Sequence, residues 1–511
     1  MIRTIVIKGD RTLTRLKVLL IGIDGASSAV TNRLIDRGLL PNFAKLKERS
    51  ASAVLESTFP PHTAPGWASM LTGVEPGEHG IYQFWSLQEK DYTPRGMNVS
   101  DYGREPLWTA LERHGLKVGV YNVPMTHPPR PLRDGYMISW PLSTTLRYTE
   151  PPALMRELVT AGMHYHSDIV TMYRGQPNYD EQAHKFTAGR AATCAYLQAT
   201  RPVEAMFVVF TEVDRVSHHY WGEQEEPGPA VERCYQDMDE ALGALLKLVD
   251  DDTLVVVASD HGFGRCQADF NVHELLEQND LLATRYVVAS ESAHGDEAQD
   301  DASQHAWFES QIRYKRVVDW ARTSFYMPAP GCFGLNANLK GRQRDGSLDP
   351  ADLPAAEATL RAALAAVTDE SGQPWFTLAR RADVYRGRQL ATAPDYLLVP
   401  RDFSVMASPN LTGALWSAPV QSGVHRPDGV LFLAGPGVVP ADELYARIED
   451  VHPTILAHLG LPVPEALDGH WLLPTRGPVE REPIQEHDGG QRLSSEEASF
   501  MDQQLRTIGY F

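Results

Sequence analysis

The chain has 511 residues, of which 43% are hydrophobic, 22% charged and 9% aromatic, a composition typical of a folded globular protein rather than a disordered one. Its formal net charge of -19 argues against a nucleic-acid polymer as the main ligand, because contacts with a phosphate backbone need a basic surface. A small phosphorylated substrate is not excluded, since bound metal ions can neutralise its charge locally.

The sequence also gives an expectation for the cellular compartment of the protein. It contains no apolar run of about 18 residues, so no membrane span is expected, and segment 1–16 lacks the apolar centre of a signal peptide. The four cysteines (Cys194, Cys234, Cys266 and Cys332) show no C-x-x-C spacing. We therefore expect reduced thiols and a cytoplasmic protein. The oligomeric state stays open, a homo-oligomer included.

Short apolar runs predict strands at 17–24, 205–210, 253–260 and 429–434. Continuous apolar runs are typical of strands that are buried on both faces of a parallel sheet. Helical patterns lie between them, at 41–49, 106–114 and 231–248. This alternation predicts an α/β fold with a mostly parallel central sheet and helices on both faces.

Two less regular regions interrupt this pattern and are predicted to be insertions, either of which can form a cap over a site. The predicted units are a discontinuous core at 17–270 and 395–475, a small helical insertion at 151–200, an inserted cap or lid at 271–394, and a tail at 476–511. The acidic segment 290–303 is expected to form a loop. Ser494 opens a capping-box pattern that predicts a terminal helix in the tail.

Acidic and imidazole side chains follow three of the predicted strands. Asp24 and Asp260 lie at strand ends, where ligands gather in open α/β sheets, and Asp214 follows its strand by a few residues. His218 lies four residues after Asp214, so on a helix both face one way. His261 directly follows Asp260. Taken singly, each of these patterns is as well explained by a cap, a polar turn or a solvated surface pair.

Two further residues complete the set. Thr63 lies in a proline-rich turn before an apparent short helix, where its hydroxyl can either bind an anion or simply cap the helix. His425 is predicted to lie in a loop before the last strong strand, where a lone histidine is usually solvated. Together, three aspartates, three histidines and one hydroxyl favour a metal centre, with Zn²⁺ as the first choice and Mn²⁺ or Fe²⁺ as alternatives.

The ordered motifs resemble the alkaline phosphatase superfamily, in particular its type I phosphodiesterase/nucleotide pyrophosphatase branch. The similarity runs from about residue 17 to the C-terminus and is thin over both insertions. The matching blocks are Ile-Gly-Ile-Asp24-Gly, the Thr63 turn with segment 72–81, Asp214-x-x-x-His218, Ser-Asp260-His261-Gly, Gly-Val-His425 and segment 450–462.

The resemblance implies an alkaline-phosphatase-like sandwich with two metal ions, most simply two Zn²⁺. One ion would be held by Asp214, His218 and His425, and the other by Asp24, Asp260 and His261. The oxygen of Thr63 would lie beside the second ion and attack phosphorus, giving a phosphothreonine intermediate. The expected substrate is a small phosphodiester or a nucleotide-type pyrophosphate.

Other activities are weighed against this one. A phosphomonoesterase or a phosphonate-cleaving hydrolase would use the same metal motif, and a non-catalytic metal-binding relative would usually lose ligands that are intact here. Sulfatases are rejected, because they make their formylglycine from Cys or Ser and Thr63 cannot yield an aldehyde.

The sequence also departs from the branch. Nucleotide pyrophosphatases carry a phosphate-binding Asn at the place where Phe84 stands, so the substitute is Gln83 or another group. Gln83 and Phe84 are both candidates for substrate binding. Asn338 and Arg342 lie in a segment that resembles the bacterial subgroup and are further candidates for substrate binding, with a surface turn as the alternative. The aromatic residues Phe84, Trp85, Trp108 and Trp140 are expected to belong mainly to the core.

Overall fold

The architecture was determined from a computed structural model of the full chain. The structure describes residues 14–140, 147–163, 178–222, 226–288, 314–475, 477–487 and 499. The predicted terminal helix after Ser494 and the acidic segment 290–303 lie outside the described residues.

The described helices and strands alternate over most of the chain. The strands are β1 Val18–Ile23, β2 Ala51–Glu56, β3 Val118–Tyr121, β4 Tyr136–Ile138, β5 Thr149–Glu150, β6 Ala205–Phe210, β7 Leu254–Ala258, β8 Gly262–Arg265, β9 Ala268–Asn271, β10 Thr284–Val288, β11 Tyr314–Val318, β12 Phe325–Tyr326, β13 Gly334–Ala337, β14 Phe376–Arg380, β15 Tyr396–Pro400, β16 Val405–Ser408, β17 Trp416–Ser417, β18 Gly423–Arg426, β19 Asp428–Ala434, β20 Ala441–Arg447, β21 Val463–Pro464 and β22 Arg481–Glu482.

Along the chain, most of the α-helices lie between these strands. They are α1 Ser28–Asp36, α2 Pro41–Lys47, α3 Thr63–Thr72, α4 Pro76–His79, α5 Leu107–Arg113, α6 Ala153–Thr160, α7 Tyr179–Thr200, α8 Glu212–Tyr220, α9 Pro229–Leu245, α10 Val272–Gln278, α11 Leu353–Ala365, α12 Arg381–Val384 and α13 Val451–His458. Short 3₁₀ turns occur at Val99–Asp101, Leu246–Leu248, Trp320–Arg322, Leu390–Thr392 and Ile448–Asp450. In the described ranges, no helix is both long and apolar enough to cross a membrane.

The central sheet has nine strands in the order β20-β2-β19-β7-β1-β6-β3-β4-β5. The pairs β1/β6, β1/β7, β3/β6, β3/β4 and β2/β20 are parallel, whereas β19 runs antiparallel to both of its neighbours and β5 is antiparallel to β4. This confirms the predicted α/β class with a mostly parallel sheet.

The four apolar runs of the sequence form β1, β6, β7 and β19, which are adjacent at the centre of the sheet. Every residue of β1, β6 and β7 is buried, which explains why the runs are continuous rather than alternating. Full burial of each large aliphatic side chain stabilises the fold by roughly 1.5–3 kcal/mol. These strands therefore form a rigid base at the centre of the molecule.

Smaller sheets lie outside this centre. Strands β12, β13, β15 and β14 form a four-stranded sheet, β10 pairs with β11, and β16, β9 and β17 form a three-stranded sheet. Strands β10 to β14 fall within the predicted insertion at 271–394, whereas β15, β16 and β17 lie beyond it and β9 ends at its first residue. The proposed division into a core, two insertions and a tail stays a prediction.

Candidate metal centre

Three aspartates come together at one edge of the central sheet. Strands β1, β6 and β7 are adjacent and parallel, so their carboxyl ends lie side by side. Asp24 directly follows β1, Asp260 follows β7 after one intervening residue, and Asp214 lies in the first turn of α8, the helix that follows β6. All three carboxylates are completely buried.

Helix α8 presents one carboxylate and one imidazole to the same place. Asp214 and His218 are four residues apart on this helix, and the His218 Nε2 to Asp214 Oδ1 distance is 3.5 Å. The sequence spacing that predicted a shared face therefore corresponds to side chains that meet in space.

His425 reaches this pair from a distant part of the chain. It lies on β18, which pairs with β8. In this pair His425 is opposite Phe263, which lies two residues after His261. His425 Nε2 is 3.1 Å from Asp214 Oδ1 and 3.1 Å from His218 Nε2. These three residues form one compact group of potential ligand atoms.

Asp24, Asp260 and His261 form a second group, whose ligand atoms all lie within 4.8 Å of one another. His261 Nε2 is 3.5 Å from Asp24 Oδ1 and 3.3 Å from Asp260 Oδ2. Gly25 adopts a left-handed conformation (φ +74°) in the turn after Asp24, and its backbone N–H donates to Asp260 Oδ1 at 3.2 Å. His261 Nε2 is also 3.8 Å from Asp214 Oδ1, so the two groups are contiguous.

Thr63 is the first residue of α3 and is fully buried. Its Oγ1 lies 3.4 Å from Asp24 Oδ1 and 3.4 Å from His261 Nε2. The helix is capped by His62, whose Nδ1 accepts a hydrogen bond from the Ala64 N–H at 3.2 Å. The hydroxyl is thus located where the helix dipole stabilises negative charge, next to the second group of ligand atoms.

The hydrogen bonds of two histidines test whether these residues fit a metal ion. Nδ1 of His261 contacts the Gly262 carbonyl at 3.0 Å, and Nδ1 of His425 contacts the Pro61 carbonyl at 3.0 Å. A carbonyl can only accept, so each Nδ1 carries a proton, which leaves Nε2 as the nitrogen available for ligation. Each Nε2 faces a carboxylate oxygen, at 3.1 Å for His425 and 3.3 Å for His261, so nitrogen and oxygen donors converge in the same place. Because the other nitrogen of each ring is anchored, both imidazoles suit metal ligation.

The carboxylates support the same conclusion. Among the described residues, Asp214 Oδ1 and Asp260 Oδ2 are buried and accept no hydrogen bond. Burial raises the pKa of Asp260 well above its usual range, and the charge of Asp214 raises it further. Burial also raises the pKa of Asp214, but the neighbouring His218 and Arg215 outweigh burial and hold it well below its usual range. Burial lowers the pKa of His218 to about 3 and that of His261 well below its usual range, so both rings are neutral.

The structure brings all seven predicted metal-site residues together, whereas the four candidate substrate contacts are more dispersed. Gln83 is fully buried, and its Nε2 donates to the Pro330 carbonyl at 2.8 Å. Phe84 is also buried and packs between His62, at a centroid distance of 5.0 Å, and Trp140, at 5.6 Å. The side chain at position 84 therefore offers no hydrogen-bond donor. The expected core location of the aromatic residues is confirmed, since Phe84, Trp85, Trp108 and Trp140 are all buried.

Asn338 and Arg342 have their polar groups engaged by other groups of the protein. Asn338 Nδ2 donates to the carbonyls of Trp320 and Thr323, each at 2.8 Å, and Arg342 pairs with Asp395. These contacts are typical of a structural role, and the substrate contacts proposed from the sequence stay predictions.

Two residues at the centre were not identified from the sequence. Arg215 is 1% exposed, and its Nη1 donates to Asp214 Oδ2 at 2.7 Å. His62 caps the helix of Thr63 and lies edge-on to His425, at a centroid distance of 5.7 Å. Both directly neighbour a predicted site residue in the sequence, and that adjacency was the available signal.

Comparison with known proteins extends these observations. A family model for type I phosphodiesterase/nucleotide pyrophosphatase matches residues 18–426. The solved structure of phosphonoacetate hydrolase from Sinorhizobium meliloti 1021 in complex with phosphonoformate is similar, with a TM-score of 0.54 and 17% identity over 86% of this chain and 94% of that chain. Murine ectonucleotide pyrophosphatase/phosphodiesterase 5, as an inactive form in complex with AMP, has a TM-score of 0.52 and 12% identity over 91% of this chain and 98% of that chain.

At these identities, the solved structures establish the fold alone, and they confirm the expected alkaline-phosphatase-like sandwich. No curated protein sequence matches the chain.

Proposed function

The chain belongs to the type I phosphodiesterase/nucleotide pyrophosphatase family, and from this premise we propose that it cleaves a small phosphodiester or nucleotide-type pyrophosphate through a phosphothreonine intermediate on Thr63. Membership of the family makes the chain a hydrolase of phosphoric ester bonds. The substrate, the covalent intermediate and the metal are our proposals.

The observation that carries the proposal is the position of the Thr63 hydroxyl. It lies 3.4 Å from a carboxylate oxygen and 3.4 Å from an imidazole nitrogen, at the N-terminus of a ten-residue helix. An ordinary capping threonine would bond its own helix, but here His62 provides the cap. The Thr63 oxygen instead faces Asp24 and His261 of the second ligand group.

We propose that Asp24, Asp260 and His261 hold one divalent cation. The other is held by Asp214 and His425 together with His218, which lies within 3.5 Å of both. Zn²⁺ is the preferred metal because of the mixed oxygen and nitrogen donors. Mn²⁺ and Fe²⁺ are the alternatives. When bound, such a pair of ions lowers the pKa of a nearby hydroxyl and neutralises charge on the phosphoryl and leaving oxygens.

The residues of the chain would carry out two displacements. Oγ1 of Thr63 attacks phosphorus and a new oxygen–phosphorus bond forms, while the bond to the leaving alcohol or phosphate breaks and the Thr63 proton is transferred, through solvent, to the leaving oxygen. Water then attacks the phosphothreonine: its oxygen stays on the released product, and one of its protons restores the Thr63 hydroxyl. The helix dipole of α3 stabilises negative charge on Oγ1 in both steps.

The apolar surroundings of Phe84 favour a diester over a monoester. A monoester carries one more negative charge, which needs further donors, and the buried ring of Phe84 provides none. Cleavage of a phosphonate is the rival activity, because the structurally similar phosphonoacetate hydrolase has been solved with phosphonoacetate. The four cysteines are buried and unpaired, which supports our proposal of a cytoplasmic location.

The test combines metal content with substrate preference. Purified protein is analysed for zinc, manganese and iron by mass spectrometry and assayed on bis-p-nitrophenyl phosphate, p-nitrophenyl phosphate and phosphonoacetate. We expect about two zinc ions per chain and a preference for the diester. Thr63→Ala should abolish turnover with metal content unchanged. Preference for the monoester or the phosphonate would overturn the substrate class, and retained activity of Thr63→Ala would overturn the intermediate.

A further inference from the structure

Arg215 makes an unusual contact beside the candidate metal centre. Side chains of consecutive residues on a helix diverge, so residues 214 and 215 of α8 are not expected to face each other. Nevertheless, the Arg215 guanidinium donates to Asp214 Oδ2 at 2.7 Å, and Arg215 is only 1% exposed. Placing a guanidinium in this buried position has a desolvation cost, which the pairing with the carboxylate offsets.

The two oxygens of Asp214 therefore have different surroundings. Oδ2 is engaged by Arg215. Oδ1 faces the imidazoles of His425, His218 and His261, at 3.1, 3.5 and 3.8 Å. A carboxylate fixed in this way can offer one oxygen to a cation while the other is held by the guanidinium.

We propose that Arg215 is the positioning residue of the first metal site: by binding Asp214 Oδ2 it makes Asp214 a monodentate ligand through Oδ1. Arg215 also prevents the carboxylate from rotating toward a two-oxygen mode that would displace His218 or His425. This inference rests on the metal site proposed above. Outer hydrogen bonds of this kind typically account for about 10- to 100-fold in metal affinity.

A neighbouring ion pair provides a matched control. Arg190 on α7 is 2% exposed and donates to Glu212 Oε1 at 2.5 Å, also on α8. Its guanidinium lies over the rings of Tyr121 and Phe210. Arg190→Met thus removes a comparable buried ion pair from the same helix without removing the contact to Asp214.

The experiment titrates zinc into metal-free wild type, Arg215→Met, Arg215→Lys and Arg190→Met, in competition with a fluorescent chelator that resolves two dissociation constants. For Arg215→Met we expect one zinc site to weaken about 10- to 100-fold and the other to stay unchanged. Arg215→Lys should lose less zinc affinity, because lysine keeps a positively charged hydrogen-bond donor. Arg190→Met should lower the thermal midpoint but keep both zinc constants.

Two results would overturn the inference: wild-type zinc affinity in a folded Arg215→Met, or equal weakening in Arg190→Met. If Arg215→Met does not fold, a crystal structure of the zinc-bound wild type decides the matter. Zinc bound through Asp214 Oδ1 alone, with Arg215 on Oδ2, supports the role, and bidentate Asp214 refutes it. A wild type that binds no zinc would instead refute the proposed function, so the two failures are distinguishable.

Discussion

Replacing Asp260 with Asn is expected to change stability in opposite directions with and without metal. Asp24 and Asp260 present carboxylate oxygens within 4.8 Å of each other, and both residues are completely buried. Asn keeps the Oδ1 atom that accepts the Gly25 N–H, so the turn after β1 is preserved. The substitution therefore removes mainly one negative charge and one metal ligand.

The magnitude follows from Coulomb's law. At 4.8 Å, the largest separation of the two ligand oxygens, two unit charges repel by about 3.5 kcal/mol at an effective dielectric constant of about 20. Without metal, and where both carboxylates are ionised, Asp260→Asn should thus be more stable than wild type by about that amount. With zinc at about 1,000 times its dissociation constant, the wild type gains about 4 kcal/mol per site, which the variant largely loses at the second site.

The pH dependence of the metal-free forms has a defined sign. Burial, together with the charge of Asp214, raises the pKa of Asp260 well above its usual range. In the folded wild type, Asp260 binds its proton more tightly than in the unfolded chain. This tighter binding stabilises the folded state at low pH, and the stabilisation is lost as the pH rises through the raised pKa. The advantage of Asp260→Asn should appear at alkaline pH and vanish at acid pH.

The assay is thermal unfolding of wild type and Asp260→Asn with a chelator and with zinc, at acid and alkaline pH. Asp239→Asn is the control, because Asp239 is a buried aspartate that accepts from the backbone of Asn42 and Phe43. Its effect should be destabilising and independent of zinc. An Asp260→Asn variant less stable than wild type in chelator at alkaline pH would refute the reasoning.

Two further predictions concern residues outside the ligand set. His62→Asn retains an acceptor for the Ala64 N–H, so it should be about 1 kcal/mol more stable to urea than His62→Ala, and equal stabilities would contradict the capping role. Burial raises the pKa of Glu449 to about 7, so its contribution to stability is present below its ordinary pKa and is lost as the pH rises through about 7. The unfolding free energy of Glu449→Gln should therefore equal that of wild type at acid pH and exceed it by about 3 kcal/mol at alkaline pH. This energy corresponds to the difference between the raised pKa of about 7 and the ordinary pKa of 4.5. An unfolding free energy that depends on pH in the same way in Glu449→Gln and wild type would contradict the raised pKa of Glu449.

The sequence predicted the sheet well because its central strands are buried on both faces. Strands β1, β6 and β7 appear as continuous apolar runs, and their parallel arrangement brings Asp24, Asp214 and Asp260 to one edge. The local sequence pattern alone did not distinguish a metal ligand from a cap, a polar turn or a solvated surface pair at these residues. The family resemblance combined them into two metal sites, and the structure brings the same side chains together.

Other features depend on contacts that no local pattern encodes. His425 was predicted to lie in a loop, but pairing of β18 with β8 makes it part of a strand and brings it to Asp214. Arg215 and His62 act through geometry rather than through a motif, so their adjacency to Asp214 and Thr63 was the available signal. The placement of Gln83 likewise depends on Pro330, which is remote in the chain.

The most direct test of the central claim is to look for phosphate on Thr63. Wild-type protein loaded with zinc is mixed with bis-p-nitrophenyl phosphate, quenched in acid during turnover, digested and examined by tandem mass spectrometry. The account predicts a substituted phosphoryl group on the peptide that contains Thr63, at the Thr63 side chain, and none in Thr63→Ala. Steady turnover by Thr63→Ala, or an adduct on another residue of the wild type, would contradict it.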